Sequence, residues 1–305
     1  MQIEVESVER LRLADGSPVR AASAVVPFGD GFLVVQDDAT HGAWFAAGAV
    51  SDVRLLPAVD GLEVFDEAAG TKHLKPDLEA ACVLEVDGAP AVLLLGSGSL
   101  AARTRWSLLR LVDGRPEARA AEMAPLYAAV AEALSVPSDV LNLEGACLVG
   151  GVLRWYHRGL PAAGVPAGSV DLEPAAAVDA ALGRISPDDV AVSNPRHYDL
   201  GEVRGVGLGV TDAVALPDGW VLVSAAAEDS PNPRDDGPVV AAALARLDGH
   251  AVEDVTPLPL VDGRVSKVEG LMLLESDRDS ARLLAVVDVD DPAAPSVALR
   301  LVVRF

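Results

Sequence analysis

The sequence predicts an all-β protein, a β-propeller of about five four-stranded blades, on the basis of three observations. A short motif that starts with a polar residue, usually an acid, and continues as an apolar strand recurs along the chain. The copies are almost evenly spaced, and the spacing is similar from the last copy through the C-terminus to the first. A second apolar strand follows each copy, in most cases after a turn that contains glycine. A repeat that closes on itself in this way is typical of a propeller.

The motif starts with Ser23 in one copy and with an acid in the other four, at Glu79, Glu144, Asp212 and Glu269. Neighbouring copies lie 56 to 68 residues apart. This exceeds the roughly 40–50 residues of familiar propeller repeats and leaves room for inserted elements. We count five copies, and a sixth blade in an atypical segment stays open as an alternative.

Each copy continues through a similar series of strands. Second strands are predicted at Phe32–Gln36, Ala91–Leu95, Val152–Tyr156, Trp220–Ser224 and Leu283–Val287. Third strands are predicted at Ser107–Val112, Val239–Leu247 and Val297–Val303, and fourth strands near Glu117–Met123 and Val252–Leu258. Apolar residues at helical spacing or a high alanine content predict two inserted helices, at Pro125–Val136 and Pro174–Leu182.

The two ends of the chain are expected to share one blade. The last copy ends after its third strand, at Phe305, and the chain begins with a spare strand at Gln2–Leu13. If the spare strand completes the last blade, the ring is closed and no sheet edge stays exposed. We therefore expect one propeller domain over residues 1–305.

Composition narrows the class of protein and of partner. A formal net charge of −22, from 46 acidic and 24 basic residues, repels phosphate backbones and anionic lipids. We therefore expect no nucleic-acid partner and no membrane partner. The chain shows neither a secretory start nor a run of ~20 apolar residues, and two cysteines are too few for a disulfide framework. A cytoplasmic monomer that binds a small molecule is the expectation.

The repeat predicts a ring of carboxylates. The first strand of each blade lines the central channel of a propeller, so equivalent positions form a ring around the axis. The alignment puts Glu79, Glu144, Asp212 and Glu269 in that ring, near one mouth. Like charges this close are costly unless something compensates them. Bound Ca²⁺ or Mg²⁺ would do so, with the four acids as ligands. Alternatively, the acids cap strand ends and pair with Lys or Arg.

Polar residues at the ends of the second strands should meet the acids at the same mouth, because neighbouring strands are antiparallel. The candidates for binding a small molecule with an anionic group are Asp37, Ser97, Ser99, Arg103, Arg105 and Arg158. An ordinary loop with solvated arginines is the alternative for the segment around Ser97. His157 titrates near neutrality and is a candidate general acid or base. A histidine that only hydrogen-bonds in a loop is the alternative there.

Short motifs connect the chain to known propellers. Asn142–Ala146 and Lys267–Leu271 resemble bacterial propeller families of phytase-like esterases, and the broader gluconolactonase and strictosidine-synthase group. Leu95–Ser99 and Trp155–Gly159 are similar to uncharacterised bacterial propellers related to them. The resemblance implies that Glu144 or Glu269 binds a divalent cation at the channel mouth, and that the reaction is ester or lactone hydrolysis. Those relatives usually have six blades.

These observations together predict a metal-assisted hydrolase of a small ester, lactone or phosphoester. The four ring acids would hold the cation, and the cation would polarise the electrophile or activate water. Arg103, Arg105 and Arg158 would bind an anionic group, and Glu144 and His157 would be the catalytic residues. The alternative is a propeller that binds a small molecule or a protein on the same face without catalysis.

Overall fold

The computed structural model is a five-bladed β-propeller, and it describes residues 1–232, 237–289, 291 and 293–305. Five antiparallel sheets follow one another around a central channel, and the first strand of each sheet contacts the first strands of the two neighbouring sheets. The ring closes where the last sheet meets the first. The predicted fold class and the count of five blades are confirmed.

Most of the strands fall close to their predicted positions. β1 is Gln2–Arg10. Blade 1 contains β2 (Ala22–Phe28), β3 (Gly31–Gln36), β4 (His41–Ala46) and β5 (Ala49–Arg54). Blade 2 contains β6 (Leu78–Val86), β7 (Ala89–Gly96), β8 (Arg105–Val112) and β9 (Arg115–Glu122). Blade 3 contains β10 (Leu143–Val149), β11 (Val152–His157), β12 (Ala167–Leu172) and β13 (Val192–Tyr198).

The fourth blade has one more strand than the repeat predicts. It contains β14 (Glu202–Val203), β15 (Val206–Ala215), β16 (Val221–Glu228), β17 (Val239–Asp248) and β18 (Ala251–Pro257). The extra strand, β14, has two residues and pairs with the start of β15. Blade 5 contains β19 (Val268–Ser276), β20 (Ser280–Val287) and β21 (Val297–Arg304).

The N-terminal strand completes blade 5, as predicted. β1 pairs antiparallel with β21 from Gln2 opposite Arg304 to Arg10 opposite Val297. Its apolar residues Ile3 and Val5 pack against the core of this blade. The first and last strands of the chain therefore hydrogen-bond to each other, and residues at both ends hold the ring closed.

Both predicted helices are present between strands of blades 2 and 3. α1 (Ala124–Leu134) joins β9 to β10, and α2 (Pro174–Ala181) lies between β12 and β13. Leu126, Val130 and Leu134 of α1 are buried, as their helical spacing predicts. Within the described residues, no helix is long and apolar enough to cross a membrane.

Each inner strand carries a β-bulge near its start. The register shifts by one residue within β2, β6, β10, β15 and β19. The bulged residues are Ser23, Glu79, Glu144, Thr211 and Glu269. A bulge leaves one residue outside the regular pairing and redirects its side chain. The same local irregularity therefore recurs five times around the channel.

The small residue after each bulged glutamate allows the inner strands to approach one another closely. A Cβ atom on Gly145 would lie 2.9 Å from Cα of Asp212 in the next blade. On Gly270 it would lie 2.8 Å from Cα of Ala24 across the closure of the ring. The Glu-Gly pairs of the sequence motif thus combine a side chain at the channel mouth with a tight contact between blades.

Candidate functional site

A cavity of about 700 Å³ opens at the mouth where the inner strands begin. Charged side chains dominate its wall, with ten acids and six bases among the described residues. The bases are Arg20, Lys72, Lys75, Arg103, Arg158 and Lys267. Acids are in excess, so the interior of the cavity favours cationic groups.

Three of the four predicted ring acids meet in this cavity. Glu79, Glu144 and Glu269 line it, together with Ser23 at the equivalent position of blade 1. Each is the bulged residue of its inner strand. The repeat therefore brings together carboxylates that lie 65 and 125 residues apart in the chain.

The prediction that Asp212 belongs to this ring is wrong by one residue. The bulge in β15 falls at Thr211, so Asp212 takes the place of the small residues Ala80, Gly145 and Gly270 in the other blades. Asp212 is 3% exposed, and its carboxylate accepts a 2.6 Å hydrogen bond from the backbone N–H of Leu271. Thr211 Oγ1 donates to the carbonyl of Val268 at 2.6 Å. Both residues hold blade 4 to blade 5.

A first chain of alternating charges crosses blades 1 and 2. Lys75 Nζ contacts the carboxylates of Asp37 and Asp77, at 2.6 Å in the second case. Arg103 Nη1 contacts the other oxygen of Asp77 at 2.9 Å. Asp77 is 1% exposed and also accepts hydrogen bonds from Ser97 and Ser99. The chain thus runs Asp37, Lys75, Asp77, Arg103, and its four charges balance.

A second chain crosses blades 3, 4 and 5. Arg158 joins Glu144 Oε1 at 3.0 Å to Glu228 Oε2 at 2.7 Å. Lys267 Nζ joins Glu228 Oε2 at 2.8 Å to Glu269 Oε1 at 2.7 Å. Three acids and two bases alternate here, so this chain begins and ends with an acid.

Acid follows acid at two places around the mouth: from Glu269 of blade 5 to Asp37 of blade 1, and between blades 2 and 3, which we call the break. Glu79 has no hydrogen bond or ion pair with any other described residue. Glu144 is 5% exposed, and its Oε1 accepts hydrogen bonds from Asn142 at 2.5 Å and from Arg158 at 3.0 Å. Its second oxygen, Oε2, is buried and has no hydrogen-bond partner in the described part of the chain. Glu144 thus lines the cavity with one oxygen fixed and the other buried without a partner.

Burial and charge separate the carboxyl groups of the cavity into two kinds. Burial raises the pKa of Glu144 to about 7, with repulsion from Glu269 and Glu228 adding to the rise and Arg158 and Lys267 opposing it. Burial, then repulsion from Asp37 and Asp77, raises the pKa of Glu79 well above its ordinary value. Burial acts on Asp77 in the same sense, but Lys75 and Arg103 outweigh it and lower the pKa to about 2. Away from the break, burial also raises the pKa of Glu269 and raises that of Asp38 to about 6.

Asp37, Asp77 and Glu79 form a group that could hold a metal ion. One oxygen from each carboxylate lies within 4.8 Å of the others. Carboxylate oxygens suit a hard divalent cation, but Lys75 Nζ already contacts two of the three acids. The group shares only Glu79 with the four ligands predicted from the sequence.

The expectation that His157 moves protons in the cavity is not met by its position. The ring is fully buried, does not line the cavity, and contacts the backbone of Asn142 through Nδ1. Burial lowers the pKa of His157 to about 4, so the imidazole is neutral at physiological pH. Its local hydrogen bonds match the alternative interpretation of a structural histidine.

The predicted binding residues fall into two groups. Asp37, Arg103 and Arg158 line the cavity, and all three are engaged in the charge chains. Ser97, Ser99 and Arg105 do not line it. Ser97 and Ser99 are buried behind Asp77 and orient its carboxylate, whereas Arg105 lies at the start of β8. The two serines are therefore positioning residues for Asp77.

A family model matches residues 71–292, which is well over half of the chain. The chain belongs to a family of unknown function, DUF6910. The matched range of this DUF6910 protein contains Asp77, Glu79, Glu144, Arg158, Glu228, Lys267 and Glu269. No curated protein matches the chain significantly.

Solved structures with the same architecture come from distant proteins. Glutaminyl cyclase from Myxococcus xanthus is 12% identical, with a TM-score of 0.52 over 99% of this chain and 97% of that chain. MPT-4, a mannose phosphorylase from Leishmania mexicana in complex with phosphate ion, is 14% identical, with a TM-score of 0.50 over 97% and 88%. A hypothetical protein from Leishmania major is 12% identical, with a TM-score of 0.50 over 99% and 91%. At these identities the likeness shows the fold of the DUF6910 chain.

Sequence reasoning missed Asp77, and it expected Glu228 at the mouth only as one of the polar residues at the ends of the second strands. Asp77 lies two residues before Glu79, and Glu228 lies at the end of β16. Asn142, two residues before Glu144, donates to that glutamate and lines the cavity. A signal was present, because a polar residue stands two positions before each bulged glutamate of the DUF6910 chain: Asp77, Asn142 and Lys267.

Proposed function

We propose that the cavity is the active site of a hydrolase for a small ester, lactone or phosphoester, with Glu144 as the residue that moves the proton. The observation that carries the proposal is the geometry of this one carboxyl group. Oε1 is fixed by Asn142 and Arg158, and Oε2 has no protein partner among the described residues and belongs to a residue of the cavity wall. A positioned group of this kind can exchange a proton with a bound molecule.

The charges around Glu144 suit a group that alternates between acid and base. In the neutral form, Oε2–H can donate its proton to the oxygen that leaves when the bond to the substrate breaks. In the ionised form, the same oxygen can take a proton from the water that attacks. Arg158 and Lys267 stabilise the ionised form, and burial with the nearby acids stabilises the neutral form. Neither form is strongly disfavoured near neutral pH.

A direct test is to screen chromogenic esters, lactones and phosphoesters with the wild-type protein and with Glu144→Gln. The amide keeps the shape and the hydrogen bond to Arg158 but cannot transfer a proton. We expect kcat/KM to fall by roughly 10²–10⁴-fold, the usual contribution of a general acid or base. Equal kcat/KM in the two proteins would remove Glu144 from the reaction. Glu132→Gln, on the exposed face of α1, is the matched control and should leave kcat/KM unchanged.

The finer part of the proposal is assistance by a divalent cation, Ca²⁺ or Mg²⁺, at Asp37, Asp77 and Glu79. The cation would supply Lewis-acid polarisation of the bond to be hydrolysed. In this chain it must compete with Lys75 for Asp37 and Asp77. We therefore expect Lys75→Met to bind Ca²⁺ or Mg²⁺ at least about tenfold more tightly than the wild type in a calorimetric titration. Equal affinities, or no heat with either protein, would contradict this metal site.

The second candidate is a propeller that binds a small molecule without catalysis. One observation favours it: the cationic groups Lys75, Arg103, Arg158 and Lys267 are all engaged by acids of the protein itself. A cavity whose charges are mostly balanced internally is stable without chemistry. Tight binding of a small molecule with no turnover of any ester, lactone or phosphoester would support this candidate over the hydrolase.

A further inference from the structure

The break between the two charge chains lacks one positive charge. Within each chain, neighbouring carboxylates are separated by a lysine or an arginine. The order fails where Glu79 of blade 2 is followed by Glu144 of blade 3, and again where the second chain ends at Glu269 and the first begins at Asp37. At the break, Glu79 has no ion pair within the described ranges, and Glu144 Oε2 is buried without a hydrogen-bond partner there; elsewhere on the wall Asp38 Oδ1 also lacks one. The wall at this point is built for a group that donates hydrogen bonds and carries positive charge.

We propose that the natural ligand of this cavity carries an ammonium group that binds between Glu79 and Glu144 and completes the alternation. The inference concerns binding in the same cavity and goes beyond the proposed hydrolysis, because Glu144 Oε2 cannot accept from an ammonium group and transfer a proton to a substrate in the same complex. It replaces the sequence-based expectation of an anionic ligand, because the arginines that would bind an anion are already paired with Asp77, Glu144 and Glu228.

The protein itself uses ammonium groups in the same way at two other places on the mouth. Lys75 Nζ lies between Asp37 and Asp77, and Lys267 Nζ lies between Glu228 and Glu269; the contacts with Asp77, Glu228 and Glu269 measure 2.6 to 2.8 Å. An ammonium group has three donors and is satisfied by a few oxygens at hydrogen-bond distance. At the break, the ammonium group of a ligand would likewise lie between two carboxylates, as the ammonium groups of the two lysines do at their own sites.

A divalent metal fits the break less well than an ammonium group. Ca²⁺ needs six to eight oxygens at about 2.3–2.6 Å, and Mg²⁺ needs a near-octahedral set. Glu144 can offer only Oε2, because Asn142 and Arg158 hold Oε1. The described group of acids that could hold a metal contains Glu79 but not Glu144. Two carboxylates with one free oxygen on one of them suit a monovalent donor.

The remaining wall suggests the rest of the ligand. Ala21, Ala22, Phe65 and Ala68 from blade 1 and the loop after it line the same cavity. They are the apolar residues among the described residues of the wall. A short hydrocarbon segment attached to the ammonium group can lie beside them without burying another charge. The ligand class is therefore a small amine with an apolar portion.

Binding of n-butylammonium tests the inference without requiring any turnover. A ligand-observed NMR titration at pH 7.5, in buffer with a chelator, would give the dissociation constant for wild type, Glu79→Gln and Glu144→Gln. We expect affinity to fall about tenfold or more in each variant, since each loses a hydrogen bond to a charged group. Glu132→Gln makes the same chemical change on exposed α1 and should bind as the wild type does. The neutral 1-butanol and the anion butyrate should bind at least about tenfold more weakly than n-butylammonium.

Four results would overturn the inference. Butyrate or 1-butanol could bind as well as n-butylammonium, n-butylammonium could bind equally to wild type and to both variants, or it could fail to bind at all. Ca²⁺ or Mg²⁺ binding that disappears in Glu144→Gln would also overturn it, because the break would then be a metal site. Circular dichroism and melting of the two variants show whether the fold is intact, and an intact fold is expected since Glu→Gln preserves shape.

The outcome separates this inference from the proposed hydrolase. Hydrolysis that depends on Glu144, together with no n-butylammonium binding, would leave the hydrolase standing and remove the ammonium ligand. Specific n-butylammonium binding without turnover of any ester, lactone or phosphoester would leave the ammonium ligand standing and remove the hydrolase.

Discussion

At the scale of single residues, Asp77 is the side chain on which the first charge chain depends. It is 1% exposed, contacts both Lys75 and Arg103, and adopts a left-handed backbone conformation with φ of 55°. Asparagine tolerates that conformation, so Asp77→Asn removes the charge without adding backbone strain. Removal of one partner from a buried ion pair leaves uncompensated charges.

We expect Asp77→Asn to lower the free energy of unfolding by about 3–5 kcal/mol. The matched control is Asp87→Asn, because Asp87 also has a positive φ, of 53°, and its contacts with Arg110 and Arg184 are exposed. Exposed pairs contribute about 0–1 kcal/mol. Chemical denaturation of the two variants checks the difference, and similar losses would show that the first charge chain does not stabilise the fold.

The pH dependence of stability should carry a signature of Glu144. Its pKa is about 7 in the folded protein against 4.5 for the unperturbed group. The folded state therefore binds the proton more tightly, and this group's contribution falls as pH rises from 4.5 through 7. The charged groups that face it are Glu79, Arg158, Glu228, Lys267 and Glu269.

We expect Glu144→Gln to be less sensitive to pH than the wild type between pH 4.5 and 7. The measurement is the free energy of unfolding of both proteins across this range. Asp77 has the opposite sign, since its lowered pKa, about 2, gives stability that is lost only as pH falls from about 4 towards 2. Parallel profiles for wild type and Glu144→Gln from pH 4.5 to 7 would show that Glu144 titrates normally.

Three of the single-residue predictions from sequence came from the repeat, and their success has a physical reason. Glu79, Glu144 and Glu269 occupy one structural position, so aligning the copies was enough to bring them together. Asp212 was misplaced because a bulge shifts register by one residue, and a Thr-Asp pair does not reveal which of its two members is bulged. His157 follows a strand, as expected, but no feature of the sequence shows that its ring turns into the protein rather than into the cavity.

At the scale of the element, the bulged inner strand is the device that builds the mouth. The bulge presents a side chain to the cavity, and the next residue packs against the neighbouring inner strand. The sequence motif showed the acid and the small residue but not the bulge, because a bulge depends on pairing with the second strand. The positions of the bulges, and with them the register of the five blades, therefore could not be predicted from the sequence.

We expect Gly145→Ala to destabilise the protein by about 1–3 kcal/mol, as overpacking of a dense interior does. The new Cβ would lie 2.9 Å from Cα of Asp212, and backbone on both sides leaves little room to move. Ala80→Gly, at the equivalent position of blade 2, is the control and should cost about 0.5–1 kcal/mol from backbone entropy alone. Thermal melting compares them. A Gly145→Ala protein as stable as the wild type would mean that the inner strands can move apart.

At the scale of the whole molecule, the closure of the ring was predictable from the ends of the chain. The last copy ends one strand early, and the chain begins with a spare strand. The simplest arrangement puts the spare strand in the last blade, and β1 does pair with β21. The extra strand β14 was not predictable, since two residues carry no periodic signal. The number of blades followed from the count of copies, whereas the resemblance to six-bladed proteins would have misled.

Removal of residues 2–10 should destabilise the whole propeller. The deletion exposes the edge of β21 and the apolar residues that Ile3 and Val5 cover. We expect a fall in Tm of at least about 5 °C, since roughly 2–4 °C corresponds to each kcal/mol in a protein of this size. Asp254→Asn, which removes only the partner of the terminal amine, is the control and should change Tm little. An unchanged Tm in the truncated protein would contradict closure by β1.

The central claim is that Glu144 is a fixed carboxyl group with one unpartnered oxygen, able to exchange a proton at the mouth of the propeller. A ¹³C NMR titration of the glutamate carboxyl carbons, with the Glu144 signal assigned by its loss in Glu144→Gln, measures this most directly. The account predicts a midpoint near pH 7 that falls when n-butylammonium is added. A midpoint near 4.5 that n-butylammonium leaves unchanged would contradict it.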